Sequence, residues 1–165
     1  MTKPDHSPEA AARIWDALEG LRTAMLVTHG RDGLRGRPMS AIVRREEGLI
    51  WFLAHTGGGL DDEITANPQV HLGFGDGGQT HVSVSGTAEI VADRARIADL
   101  WNFGAEAYWP GGKDDPALRA IAVRPGMAEL WDGPSTPIAV ARMALAVITG
   151  RSADDAGENV RAALG

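Results

Sequence analysis

Arg37-Pro38-Met39-Ser40, Trp51-Phe52-Leu53-Ala54 and Gly57-Gly58-Gly59 are the segments on which the reading of this chain turns. The first two belong to β-rich runs separated by Glu46-Glu47-Gly48, a connection so brief that the strands it joins must lie antiparallel. The second run ends in glycines, and Asp61-Asp62-Glu63 beyond them opens a short helix that stops at Asn67-Pro68. A guanidinium at the mouth of one strand and a glycine turn at the end of the next make a cradle suited to a planar ligand carrying a phosphate.

Working outward, Ser7-Pro8-Glu9 supplies an N-cap, a proline at the first helical position and an acid in the first turn. Ile14, Trp15, Leu18 and Leu21 then recur at helical spacing, so residues 8 to 21 form an amphipathic helix with Gly20 at its end. Ala24 to His29, Arg37 to Arg44 and Leu49 to Ala54 read as strands, the first two separated by Asp32-Gly33. Val70 to Phe74 and Thr80 to Ile90 form a hairpin around Gly75-Asp76-Gly77-Gly78, and its second strand is long enough to bend across two sheets. Ala92 to Phe103 is a helix capped by Asp93, with Ile97, Leu100 and Trp101 on one face. Next comes a loop carrying Tyr108-Trp109-Pro110-Gly111-Gly112 and Asp114-Asp115-Pro116. Leu118 to Val123 and Met127 to Trp131 read as two strands around Pro125-Gly126. Ile138 to Thr149 reads as a last helix, and Gly150 to Gly165 as frayed or weakly helical.

Six or so antiparallel strands in meander order, with helices at the ends and inserted between them, predict an α+β fold: a small closed or partly closed β-barrel with flanking helices. At 165 residues the chain reads as a single domain over residues 1–150 followed by a C-terminal tail, 151–165. There is no cysteine, which removes disulfides and thiolate chemistry and fits a reducing cytoplasm. No signal peptide is visible, and the longest apolar run, around Ile138 to Ile148, is broken by Arg142 and too short for a bilayer. A net charge of -6 argues against sequence-independent nucleic-acid binding. The expectation is a cytoplasmic protein with a small-molecule ligand and no nucleic-acid or membrane partner.

Several motifs have plain structural readings. Gly73-Phe74-Gly75-Asp76-Gly77-Gly78 has the letters of a dinucleotide-binding fingerprint, but the next segment, Thr80 to Ile90, alternates like a strand, so the glycines read as a hairpin turn. His6, His29, His55, His71 and His81 show no metal-ligand spacing, and no metal site is expected. His55 borders the glycine loop, where it is either a phosphate contact or a polar loop residue. Ser83 and Ser85 share one strand face opposite Val82, Val84 and Ala88, outside any nucleophile elbow. Arg35, Arg44 and Arg45 read as a solvated face, whereas Arg37 has the more suggestive neighbours. Trp15, Trp51, Trp101 and Trp131 read as core, while Trp109, set between Tyr108 and Pro110, needs a flat ligand or a second subunit to cover it.

Assembled, these residues resemble the FMN-binding split-barrel proteins of the pyridoxamine 5'-phosphate oxidase type, and within them the general stress protein 26 branch. The likeness runs through Leu26-Val27-Thr28, Arg37-Pro38-Met39, Trp51-Phe52, Asp62-Glu63-Ile64, Asn67-Pro68-Gln69-Val70, Ser83-Val84-Ser85-Gly86, Leu100-Trp101-Asn102, Trp109-Pro110 and Glu129-Leu130-Trp131. It implies an antiparallel six-stranded split barrel that dimerises with itself and binds FMN in clefts between subunits. On that likeness Arg37, Pro38, Met39 and Ser40 lie along the isoalloxazine ring, with Arg37 neutralising phosphate charge. Phe52, Leu53, Ala54, Gly58 and Leu60 belong to the phosphate-binding strand end and loop, and Trp109 approaches the ring. The family's usual threonine, serine and lysine are replaced here by Ala54, Gly58 and Leu60. No side chain reads as catalytic, so any oxidoreductase chemistry would be the flavin's. The alternative is a non-catalytic stress-associated binding protein on the same fold. On the flavin reading, Arg37→Ala weakens FMN binding without harming the fold, and Leu60→Lys tightens it.

Overall fold

The computed structural model describes residues 7–133, 145 and 158–165. Helix α1 (Pro8–Gly20) begins where expected: Ser7 Oγ accepts a hydrogen bond from the Ala10 N–H at 3.1 Å. Its buried stripe, Ala10, Ile14, Trp15 and Leu18, packs into the main core. The strands are β1 (Thr23–Gly30), β2 (Gly33–Ser40), β3 (Ile42–Arg44), β4 (Leu49–His55), β5 (Gln69–Gly75), β6 (Thr80–Val91), β7 (Leu118–Asp132) and β8 (Glu158–Ala163). Between them stand α2 (Leu60–Ala66), α3 (Arg94–Leu100) and α4 (Phe103–Tyr108). All strand pairings are antiparallel, in the order β2-β1-β5-β6-β7-β4-β3, with β8 also on β7. The sheet is that of a split barrel, with eight strands among the described residues rather than six.

The extra strands have identifiable causes. The run Arg37 to Arg44, expected as one strand, changes partner at Ala41: β2 pairs with β1, and β3 pairs with β4. Hydrogen bonding carries the chain through this switch, since the Ala41 N–H still donates to the Arg22 carbonyl at 2.9 Å. In contrast, the two strands expected around Pro125-Gly126 are one, β7, paired with β6 from Ala120 to Asp132. The irregularity is absorbed as a bulge between Ser85 and Gly86, where any Cβ on Gly86 would collide with the Arg124 carbonyl. The bulge also reverses which side chains point inward, from Ile121 and Val123 before it to Ala128 and Leu130 after it.

The C-terminal segment corrects the expectation of a frayed or weakly helical tail. Glu158 to Ala163 is strand β8, and Ala162 is buried in the main core. The helix expected over Ile138 to Thr149 lies outside the described residues except for Leu145, which is helical.

Two apolar clusters result. The larger fills the barrel beneath α1 and α2, and the smaller lies under α3 and α4. Strand β4 and the first half of β7 stand between them, so Ile50 and Phe52 enter one cluster while Trp51 and Leu53 enter the other. This explains the nearly continuous apolar lettering of both segments, which are buried on two faces. Trp15 and Trp51 are core residues, as expected, and Trp101 packs partly buried on the smaller cluster. Trp131 is 40% exposed at the far end of β7, correcting its placement in the core. The glycine-rich letters at 73–78 close β5 at Gly75 and lead into the β5–β6 turn, with the Gly78 N–H donating to Asp76 Oδ1 at 2.7 Å. Among the described residues no helix is long and apolar enough to cross a membrane.

Candidate functional site

The partner switch at Ala41 opens the molecule. Among the described residues, β4 beyond Trp51 has no strand on the side where β3 lay, and β2 pairs only with β1. Between these edges and α4 lies a cleft of about 720 Å³, lined by Met39, Ser40, Ala41, Ile42 and Leu53 on the sheet side and by Asn102, Ala105, Tyr108 and Trp109 opposite. Glu19, Arg22 and Thr23 close one end. That volume falls within the usual range of small-molecule sites.

Trp109 is held rather than loose. It caps α4, its N–H donating to the Ala105 carbonyl at 3.0 Å, and its ring leans on His55, Trp101 and Tyr108 with centroids 6.1, 6.3 and 6.2 Å away. The sequence reading, which put Tyr108 in a loop, missed α4; its signal was Asn102, whose Oδ1 accepts from the Ala105 N–H as an N-cap. The loop beyond is fastened by Arg94, which donates to the carbonyls of Asp115 and Leu118. His55 Nε2 lies 3.3 Å from Asp115 Oδ2.

The smaller cluster is tied to its helix by a second polar group. Trp51 Nε1 donates to Glu47 at 3.0 Å, Arg96 donates to the same carboxylate at 2.9 Å, and the Arg96 guanidinium lies 4.8 Å over the Trp51 ring. Burial raises the Glu47 pKa, but these two hydrogen bonds outweigh it and leave the carboxyl below its ordinary value.

The glycine loop is arranged differently from the expectation. Gly57 and Gly59 adopt left-handed backbone, φ 86° and 81°, turning the chain from β4 into α2. Arg37 does not offer its charge to this loop. Its NH1 donates to Glu63 Oε2 at 2.8 Å and to Thr28 Oγ1 at 2.9 Å, and its NH2 to Glu63 Oε1 at 2.9 Å. Thr28, fully buried, donates its hydroxyl to Glu63 Oε2 at 2.6 Å, and Arg35 stands 3.5 Å from the other oxygen. Hydrogen bonding from Arg37, foremost, holds the Glu63 carboxyl down at about 2.

Of the residues expected at a ligand, Met39, Ser40, Leu53 and Trp109 come together around the cleft. Pro38 is exposed on β2 beside them. Phe52 and Leu60 point their side chains into the main core and Ala54 packs against it, while Gly58 is exposed in the loop. Glu19, Arg22, Asn102, Thr28 and Glu63 were not expected at the site. Among the described residues Arg22 is the only basic side chain lining the cleft. A flavin ring therefore fits this chain: the cleft offers apolar walls, two strand edges and an indole. The phosphate end does not fit equally, because its expected guanidinium already holds a carboxylate.

The family model for pyridoxamine 5'-phosphate oxidase-like proteins matches residues 9–154. The chain belongs to this family. No curated protein sequence matches it significantly. Among solved structures, a protein assigned to general stress protein 26 from Jannaschia sp. CCS1 is 27% identical, with 95% of this chain and 99% of that one covered and a TM-score of 0.75. The general stress FMN/FAD binding protein from Xanthomonas citri is 31% identical over 79% of this chain and 93% of its own, with a TM-score of 0.69. General stress protein 26 from Bacillus anthracis str. Sterne, 22% identical over 73% of this chain and 92% of its own, with a TM-score of 0.64, shares the fold.

Proposed function

We propose that this family member binds a flavin of the FMN type in the cleft at the Ala41 partner switch, working as a cytoplasmic homodimer. The observation that carries the reading is the cleft itself: about 720 Å³, walled by Met39, Ile42 and Leu53 and faced by Trp109. The edge of β2 that faces away from β1 suits the hydrogen-bonding rim of an isoalloxazine, and Trp109 suits its face. When bound, the flavin would supply hydride or electron transfer; the protein would orient the ring and exclude water. The relative from Xanthomonas citri, described as an FMN/FAD binding protein, supports the assignment.

Tyr108, 75% exposed at the cleft rim, supports a second subunit, since a copy of the chain lying over it would close the cleft and cover that ring. A binding role without turnover is the second reading. It is favoured by the engagement of Arg37 with Glu63, which leaves the phosphate end weakly held.

Purified protein titrated with FMN, followed by flavin fluorescence and by light scattering, tests the assignment. Saturable quenching in a particle of twice the chain mass is expected. A monomer that leaves FMN fluorescence unchanged would end it. Reduction of the bound flavin by a nicotinamide donor, followed by reoxidation on a small acceptor, separates an oxidoreductase from a binding protein.

A further inference from the structure

We propose that Glu63 determines which flavin the protein accepts: its carboxylate takes the place of a ligand phosphate on Arg37, so the protein does not distinguish FMN from riboflavin. The inference rests on the flavin reading above and adds to it the part of the ligand that carries the binding.

The geometry is that of an anion site already filled. Glu63 receives two parallel hydrogen bonds from one guanidinium, a third from Thr28, and the nearby charge of Arg35. This is the bidentate arrangement by which arginine grips either a carboxylate or a phosphate. A phosphate arriving with nearly two negative charges would have to pull Arg37 away from Glu63 and then lie beside the carboxylate it had displaced. The neighbourhood discourages this further. Asp61 and Asp62 stand with Glu63 in the first turn of α2, and Asp61 Oδ1 is buried without a hydrogen-bond partner among the described residues.

At positions 54 and 57 to 60, no side chain replaces what Arg37 withholds. Leu60 is turned into the main core, Ala54 packs against that same core, and Gly57 to Gly59 carry no side chains. The cleft, meanwhile, depends on none of these groups: Arg37, Glu63 and Thr28 are absent from its lining. Ring binding and phosphate binding are therefore separable in this chain.

The test is a pair of titrations of the full chain, stripped of flavin, with FMN and with riboflavin, repeated in millimolar inorganic phosphate. A phosphate gripped by an arginine ordinarily favours FMN by about ten- to a hundredfold. Here the two dissociation constants are expected to agree within about threefold, with inorganic phosphate leaving both unchanged. Glu63→Gln keeps the side chain's shape and an acceptor for Thr28 while freeing Arg37; it is expected to tighten FMN about tenfold, leave riboflavin unchanged and make inorganic phosphate a competitor. Wild-type protein that prefers FMN tenfold or more, with phosphate competing, would overturn the role of Glu63 while leaving the flavin reading standing. Failure of both flavins to bind would overturn the flavin reading itself. Should Glu63→Gln not fold, the wild-type ratio and the phosphate competition still decide.

Discussion

The cleft and the glycine loop, the two places where the sequence expects one ligand to be held, use their polar groups in opposite ways. At the cleft, strand edges have no strand partner among the described residues, and Arg22 lies on an apolar slot. At the loop, Arg37, Thr28 and Glu63 satisfy one another and fasten α2 to β1 and β2. The difference teaches that an arginine in a family's motif position marks an anion site only while its countercharge comes from outside. Once the fold supplies a carboxylate, the same residue becomes a brace.

Five measurements would break or sharpen that contrast. Leu60→Lys is the most severe, since Leu60 is buried in the main core and an ammonium there must be dragged to solvent or left unpaired. A loss of about 3 kcal/mol or more is expected in urea unfolding, with no gain in FMN affinity. Tighter FMN binding in a stable Leu60→Lys protein would restore the loop as a phosphate site.

Arg37→Ala comes next. It strands the Glu63 carboxylate, whose side chain is only 13% exposed, and should cost about 2–4 kcal/mol by chemical denaturation. The FMN-to-riboflavin ratio should not move. A variant of unchanged stability that loses FMN selectively would return Arg37 to the ligand.

The pH dependence comes from the same pair. Glu63 is lowered from 4.5 to about 2 in the folded protein, so its contribution is complete above pH 4.5 and is lost as the pH falls through about 2. Allowing for partial screening by solvent, the amount is about 2 kcal/mol. Wild-type and Glu63→Gln unfolding curves compared across that window should converge by this amount toward the acid end; parallel curves would break the assignment.

At the other end, Trp109→Ala should weaken FMN and riboflavin alike by about tenfold while costing roughly 1 kcal/mol of stability, because the ring leans on neighbours but is only partly buried. Unequal losses for the two flavins would show that Trp109 senses the phosphate. Gly58→Ser is the mildest. A Cβ there meets nothing nearer than the His55 carbonyl at 3.9 Å, and thermal unfolding should report a change within about 0.5 kcal/mol. A larger loss would mean the loop is packed rather than open.

Local chemistry made much of the fold legible. Ser7-Pro8 set the start of α1, Asp93 capped α3 with its side chain on the Ala95 N–H at 2.8 Å, and Asn67-Pro68 ended α2. Each of these signals acts within a few residues. Strand β8 was not legible, because Glu158 to Ala163 has no strand-forming lettering of its own and exists by pairing with β7, some thirty residues away at Asn159 and Glu129. Nor was Trp131's exposure, since the bulge at Gly86 decides which face of β7 looks inward. For the candidate site, the motifs named Met39, Ser40, Leu53 and Trp109, which line the cleft, whereas Glu63 was visible as an acid opening a helix within a shared motif and not as the partner of Arg37.

The chain's lettering by itself determined the caps, the turns, the doubly buried strands and the family to which they belong, because those depend on spacing along the backbone. Tertiary structure alone decided where the sheet changes partners and which charge answers Arg37. Residues 28, 37 and 63 meet only when α2 folds back over β1 and β2, and the strength of a charged pair depends on distance and shielding from water rather than on order in the chain.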